Sequence, residues 1–96
     1  MAMLFSLGRT VATIGARDLL ERTGDHVAAS KLLQRHAVGD WGDVCDQDKG
    51  LNDWALLEGG RLLSAYHVQV DDQDHKLWII TEADRSATTL LLPEEY

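Results

Sequence analysis

Four side chains of this sequence are of the types that move protons or hold anions: His36, Asp40, Arg85 and Thr88. His36 closes an apolar stripe one turn from the end of an expected helix, and Asp40 follows it. An imidazole oriented by a carboxylate makes a general base near neutral pH. Arg85 stands in Asp84-Arg85-Ser86 with Glu82, Thr88 and Thr89 alongside, and a guanidinium among hydroxyls can hold a phosphate or another oxyanion. Together these residues suit a metal-independent ribonuclease, with His36 moving the proton and Arg85 on the scissile phosphate. Each also has a plainer account. A histidine at a helix end is favoured by the helix dipole, with its edge packed on the core. Asp84, Arg85 and Ser86 make an ordinary turn, with Arg85 paired to Glu82 or Asp84. The plainer accounts are preferred, because no nucleophile is fixed near His36 by spacing.

A second group carries charge rather than reactivity. Asp40, Trp41, Asp43, Asp46, Asp48 and Asp53 form a candidate binding surface. Between positions 40 and 58 six acids stand against the single Lys49. Such a surface could present negative charge where a partner expects phosphate, as DNA-mimicking anti-restriction and anti-CRISPR proteins do; its plainer account is a solvated acidic helix. The whole chain has nine Lys and Arg against sixteen Asp and Glu, a net charge of −7. That balance disfavours nucleic acid as a direct ligand. Trp41 and Trp54 could stack bases, but the acids around them argue for core or lid packing instead. Glu58 falls on an apolar helical arc, where a carboxylate is either desolvated or at a frayed end that reaches water; the second is expected.

Neither a metal nor a cofactor is expected. Asp46-x-Asp48 begins like a calcium loop, but Gly50 and Glu58 are each out of place by one position. Cys45 has no partner cysteine, and His67 and His75 lack zinc spacing. There is no phosphate-cradling glycine loop, no Gly-x-Ser-x-Gly elbow and no Cys–His signature.

The elements that must position these groups read as one small α+β domain. Ninety-six residues, 45% of them apolar, bound the chain to a single modest core. No apolar run approaches the roughly 18–20 residues that span a bilayer, so no membrane segment is expected. The opening Met1-Ala-Met-Leu-Phe-Ser-Leu-Gly lacks the charged and apolar regions of a secretory signal. A lone cysteine makes a reducing cytoplasm the expected home.

A short strand is expected at 9–12. Thr13 can cap a helix over 14–23 with Ala16, Leu19, Leu20 and Thr23 on one face and Gly24 ending it. Asp25 can cap a second over 26–37, whose stripe is Ala29, Leu32, Leu33 and His36. A third spans 46–58, with Val44, Leu51, Trp54, Ala55 and Leu57 on one arc; Gly50 inside it costs about 1 kcal/mol relative to Ala.

Strands at 61–70, 76–82 and 87–92, divided by two short loops, make an antiparallel meander. The fold expected is two to three N-terminal helices packed on a three- to four-stranded antiparallel sheet. Pairing across loops at 71–75 and 83–86 puts Tyr66, Val68, Trp78, Ile80 and Leu91 on one face. The other face then holds His67, Gln69, Leu77, Ile79, Leu90 and Leu92. Both carry branched aliphatics, so either helices cover both sides or one face meets a partner. A slip of one residue exchanges the faces.

The stretch His36-Ala-Val-Gly-Asp-Trp-Gly-Asp43, then Asn52, Gly59-Gly-Arg-Leu-Leu-Ser-Ala-Tyr66, Trp78-Ile-Ile-Thr-Glu-Ala-Asp-Arg-Ser86 and Thr88-Thr-Leu-Leu-Leu-Pro-Glu-Glu-Tyr96 resembles a family of short bacterial proteins. Its members are carried on plasmids and integrated mobile elements, and the likeness spans nearly the whole chain. Some carry the label of the modification subunit of type I restriction enzymes. This chain has no methyl-donor glycine loop, no Asn-Pro-Pro-Tyr-type motif and too few residues to enclose a cofactor and a flipped base. The resemblance therefore implies a setting and not a reaction. In architecture alone, two helices leading to a histidine and then a sheet bearing Arg and Thr are also loosely similar to small RNase toxins of the barnase/RelE-like group. Three expectations stand: an accessory protein that binds a protein partner and inhibits a nucleic-acid-handling system; a ribonuclease, which needs His36 and Arg85 on one cleft; and a homodimer built through the second sheet face.

Overall fold

The computed structural model describes residues 2–96. The elements run β1 (Arg9–Ala12), α1 (Ile14–Arg22), α2 (Ala28–Ala37), α3 (Asp46–Glu58), β2 (Leu62–Val70), β3 (Gln73–Thr81) and β4 (Ala87–Leu91), closed by a 3-10 turn at Pro93–Glu95. The sheet order is β1-β4-β3-β2. Strands β2, β3 and β4 form the expected antiparallel meander, and β1 adds to β4 in parallel. The fold is α+β, with the helices ahead of most of the sheet.

Helix α1 starts where Thr13 accepts a hydrogen bond from the Ala16 amide at 3.2 Å. The Glu95 carboxylate comes back to the same point, taking the Thr13 hydroxyl at 2.5 Å and the Gly15 amide at 3.1 Å. A negative group at the positive end of a helix is stabilising, and here it also ties the closing turn to the first helix. Ala16, Leu19 and Leu20 face inward, and Gly24 ends the helix with φ of +74°.

Asp25 caps a turn rather than a helix. Its carboxylate accepts from the Val27 amide at 3.0 Å, so α2 begins at Ala28 instead of position 26. A short side chain that bonds the backbone two residues on offers an alternative to helix geometry.

The meander corrects the expected register. The loop between β2 and β3 is two residues long, Asp71 and Asp72, with φ of 53° and 61°. Two left-handed residues in succession match the twist of a tight hairpin, and Gln73, Asp74 and His75 join β3. Tyr66 therefore pairs with Leu77, and Ala65 with Trp78. Tyr66 and Val68 share their face with Leu77, Ile79 and Leu90, against which α1 and α2 pack. Trp78, Ile80 and Leu91 lie on the opposite face with Leu63, Ala65, His67 and Gln69.

Helix α3 has the expected bounds, and Ala55 of the expected arc is buried with Val44 packed beside it, but the helix is rolled about its axis. Leu51, Trp54 and Leu57, placed on its inner arc by periodicity, are 56%, 59% and 85% exposed; Asn52 and Ala55 face inward. Asn52 decides this. Its amide nitrogen donates to the Leu63 carbonyl at 2.7 Å and its oxygen accepts from the Leu63 amide at 3.0 Å. The side chain thus pairs with the edge of β2 as a further strand would, and satisfies two groups that cost about 1–3 kcal/mol each if buried unpaired. Ala55 then packs on Trp41 and Leu62 in a second, smaller cluster. Glu58 is exposed at the helix end. Among the described residues no helix is long and apolar enough to cross a membrane.

Candidate functional site

The last turn of α2 carries His36 into the interior, where its exposure is 0%. Nδ1 lies 2.5 Å from the Ser64 hydroxyl on β2, and Nε2 lies 2.9 Å from the Thr81 hydroxyl on β3. Thr81 is 2.7 Å from the Thr88 hydroxyl on β4, and Thr88 donates to the Leu7 carbonyl at 2.7 Å. The direction of this chain follows from its end. Because Thr88 gives its proton to Leu7, it accepts from Thr81, and Thr81 in turn accepts from His36 Nε2–H. Nδ1 is left as the acceptor for Ser64. One neutral tautomer satisfies every member, as a buried polar network requires. Desolvation pushes the imidazole down to about 4, so it is neutral at pH 7. Phe5 and Trp41 close around it with ring centroids at 5.3 and 5.7 Å.

Of the four candidate catalytic residues, His36 and Thr88 are thus brought together, through Thr81. Asp40 does not orient His36. It pairs with Arg35, at 2.7 Å from Nε and 3.3 Å from Nη2, and that ion pair holds its carboxyl below the ordinary range. The Arg35 guanidinium lies 4.4 Å over the Tyr66 ring, and the Tyr66 hydroxyl donates to the Asp40 carbonyl at 2.5 Å. Burial pushes that phenol up to about 12.

Arg85 is turned inward as well. It donates to the carbonyls of Gly60 at 2.5 Å, Glu82 at 3.1 Å, Ala83 at 3.2 Å and Ala55 at 3.0 Å. Its donors tie the C-terminal end of α3 to the β3–β4 loop. The expected pairing with the Glu82 carboxylate belongs to Arg61, at 3.7 Å, and Asp84 accepts from the Ser86 amide at 3.0 Å. Phe5 touches both His36 and Arg85, so an aromatic ring stands where a shared cleft would need open space.

The acidic candidates divide. Trp41, expected on the binding surface, is 5% exposed, because burying the indole against Phe5 and His36 removes a large apolar area from water. Its Nε1 donates to Asp53 at 3.2 Å. Residues 41–43 lie along β2: the Ala65 amide donates to the Trp41 carbonyl at 3.0 Å and the Asp43 amide to the Ala65 carbonyl at 2.7 Å. Gly42 makes this approach at φ of +73°, where a Cβ would stand 2.1 Å from the Ala65 oxygen. Asp43 meets His67 Nε2 at 2.7 Å and Lys76 at 3.7 Å, while Asp74 takes His67 Nδ1 at 2.6 Å. The two carboxylates raise His67 above its ordinary value.

Asp46 and Asp48 occupy the first turn of α3, where the helix dipole favours them. Neither they nor Glu58 form an ion pair among the described residues. Asp46 and Glu58 flank the exposed row Leu51, Trp54 and Leu57. Among the described residues no three His, Cys, Asp or Glu side chains are arranged to hold a metal ion.

Sequence reasoning missed Ser64, Thr81, Asn52 and His67. A usable signal for the first two was present: each is a hydroxyl at an inward-facing step of an otherwise apolar strand, two residues from Tyr66 and Ile79. Comparison of the chain with protein-family models, curated proteins and solved structures returns no match.

Proposed function

We propose that this chain is an accessory protein that acts by binding another protein through α3, in the mobile-element setting implied by its family resemblance. One observation carries this reading: Leu51, Trp54 and Leu57, three residues apart, form a solvent-facing apolar row on an acidic helix. Covering what remains exposed of these side chains would gain on the order of 1 kcal/mol or more each, and tryptophan is enriched among residues that anchor interfaces. Asp46, Asp48 and Glu58 supply a charged rim, which selects a basic partner and speeds encounter. Residues 40–58 sum to −5 from six acids and one lysine. Proteins that handle nucleic acid carry basic clefts for phosphate, so they are the partner class this helix suits, and occupying such a cleft inhibits it. The ribonuclease alternative draws less support, since His36 is out of contact with solvent and Arg85 donates to four backbone carbonyls.

The test is affinity capture from a bacterial host with the tagged wild type, Trp54→Ala, and the double variant Asp46→Lys with Glu58→Lys. These positions are exposed, so circular dichroism should match the wild type. Capture of a nucleic-acid-binding protein that both variants lose supports the proposal. Undiminished capture by folded variants overturns it.

A further inference from the structure

The face of the sheet turned away from α1 and α2 carries Leu63, Ala65, Trp78, Ile80, Thr89, Leu91 and, on β1, Val11. Ala65, Ile80 and Leu91 at its centre are buried, Val11 is 38% exposed, and Leu63, Trp78 and Thr89 are half-buried. No helix α1–α3 lines the shallow groove of about 270 Å³ that crosses it between Arg61, Leu63, Trp78, Ile80 and Tyr96. Tyr96 lies over the groove, its ring centroid 5.8 Å from that of Trp78 and its hydroxyl accepting from Arg61 at 2.7 Å. Tyr96 remains 69% exposed.

Charge sets this face apart from the rest of the molecule. Arg9, Arg61 and Lys76 stand on or beside it against Asp43, Asp74 and Glu82, with Glu94 lining the same groove as Asp74 and Lys76, so most of the net charge of −7 lies elsewhere. Cation and anion are paired at both ends: Arg61 with Glu82 at 3.7 Å, and Lys76 with Asp43 at 3.7 Å. Two copies of an acidic chain repel wherever their acidic surfaces meet. They approach with least of that cost through a nearly balanced face.

We infer that this sheet face is the contact surface for a second copy of the same chain, the two sheets packing face to face about a two-fold axis. The same patch on both copies is what a closed, isologous dimer requires. Aligned sheets pack about 10 Å apart with strands within about 30° of each other. Four strands about 4.8 Å apart, averaging about seven residues, give a face of roughly 20 by 22 Å. Pairing two such faces covers roughly 850 Å², in the range of weak, transient association. Single-stranded nucleic acid is the competing occupant for an aromatic sheet face; it needs free cations, and here Arg61 and Lys76 are already paired. This surface is separate from α3 and does not depend on its role.

Equilibrium sedimentation from about 1 to about 200 µM brackets the weak association such an area gives. The wild type should pass from one to two chain masses across the series. Trp78→Lys and Leu63→Glu should stay monomeric with unchanged circular dichroism, and Trp54→Ala should dimerise as the wild type does. A wild type that is monomeric throughout overturns the inference. So does a Trp54→Ala chain that no longer dimerises, or a labelled single-stranded oligonucleotide that binds the wild type and not Trp78→Lys.

Discussion

His36 Nε2 lies 2.9 Å from the Thr81 hydroxyl, and neither side chain touches solvent. The bond joins the last turn of α2 to β3 and continues through Thr88 to the Leu7 carbonyl. A ring that looked like a proton carrier is thereby a tie between α2, three strands and the N-terminal segment.

That tie makes stability depend on pH. The folded imidazole titrates at about 4, against 6.5 when unburied. Between those values the unfolded chain holds the extra proton, so stability is full above pH 6.5 and falls as pH drops toward 4. The gap corresponds to a loss of roughly 3 kcal/mol. Urea unfolding at pH 7, 5.5 and 4.5 should show this decline. His36→Ala should cost about 3 kcal/mol or more at pH 7 by stranding Ser64 and Thr81, and should remove the His36 share of the slope.

His67 runs the other way. The Asp43 bond, then the Asp74 bond, raise its folded value above 6.5. Its contribution is therefore present below pH 6.5 and is lost as pH rises through the folded value. An NMR titration of the His67 ring should give a midpoint above 6.5, and Asp43→Asn should lower it. A midpoint unmoved by Asp43→Asn would show that the bond does not govern the ring.

Two glycines should respond oppositely to alanine. At Gly42 a Cβ meets the Ala65 carbonyl and the Tyr66 ring at positive φ, so Gly42→Ala should destabilise by about 2 kcal/mol or more. At Gly50 nothing lies within 4 Å and the position is interior to α3. Gly50→Ala should stabilise by about 1 kcal/mol. Thermal unfolding of the pair distinguishes backbone constraint from helix propensity.

Arg85→Lys should destabilise nearly as much as Arg85→Ala, by about 2–3 kcal/mol. One ammonium cannot reach the carbonyls of Ala55, Gly60, Glu82 and Ala83 in the planar arrangement that the guanidinium fork fits. Full rescue by lysine in chemical denaturation would mean that charge alone matters at this turn.

Much of the fold was legible because its signals are local. Thr13 and Gly24 mark the ends of α1 through capping and left-handed geometry, and Asp46–Glu58 was bounded by charge at one end and paired glycines at the other. The candidate site was far less legible. Histidine, aspartate and arginine advertise chemistry by type, yet Asp40 is held by Arg35, and Arg85 by carbonyls of residues up to thirty positions away. Nothing in a short window tells whether a donor is already satisfied.

The amino-acid order by itself determined where helices and strands lie, since caps, turn formers and periodicity act over a few residues. For α3 and for the sheet, tertiary structure decided which way they face, whereas α1 and α2 bury the stripes that periodicity marks. Two left-handed aspartates set the register and exchanged the sheet faces, and Asn52, reaching the backbone of Leu63, rolled α3 so that Leu51, Trp54 and Leu57 look outward. Periodicity gathers side chains into a stripe, but at α3 the otherwise unpaired backbone of Leu63 chooses the side on which that stripe ends.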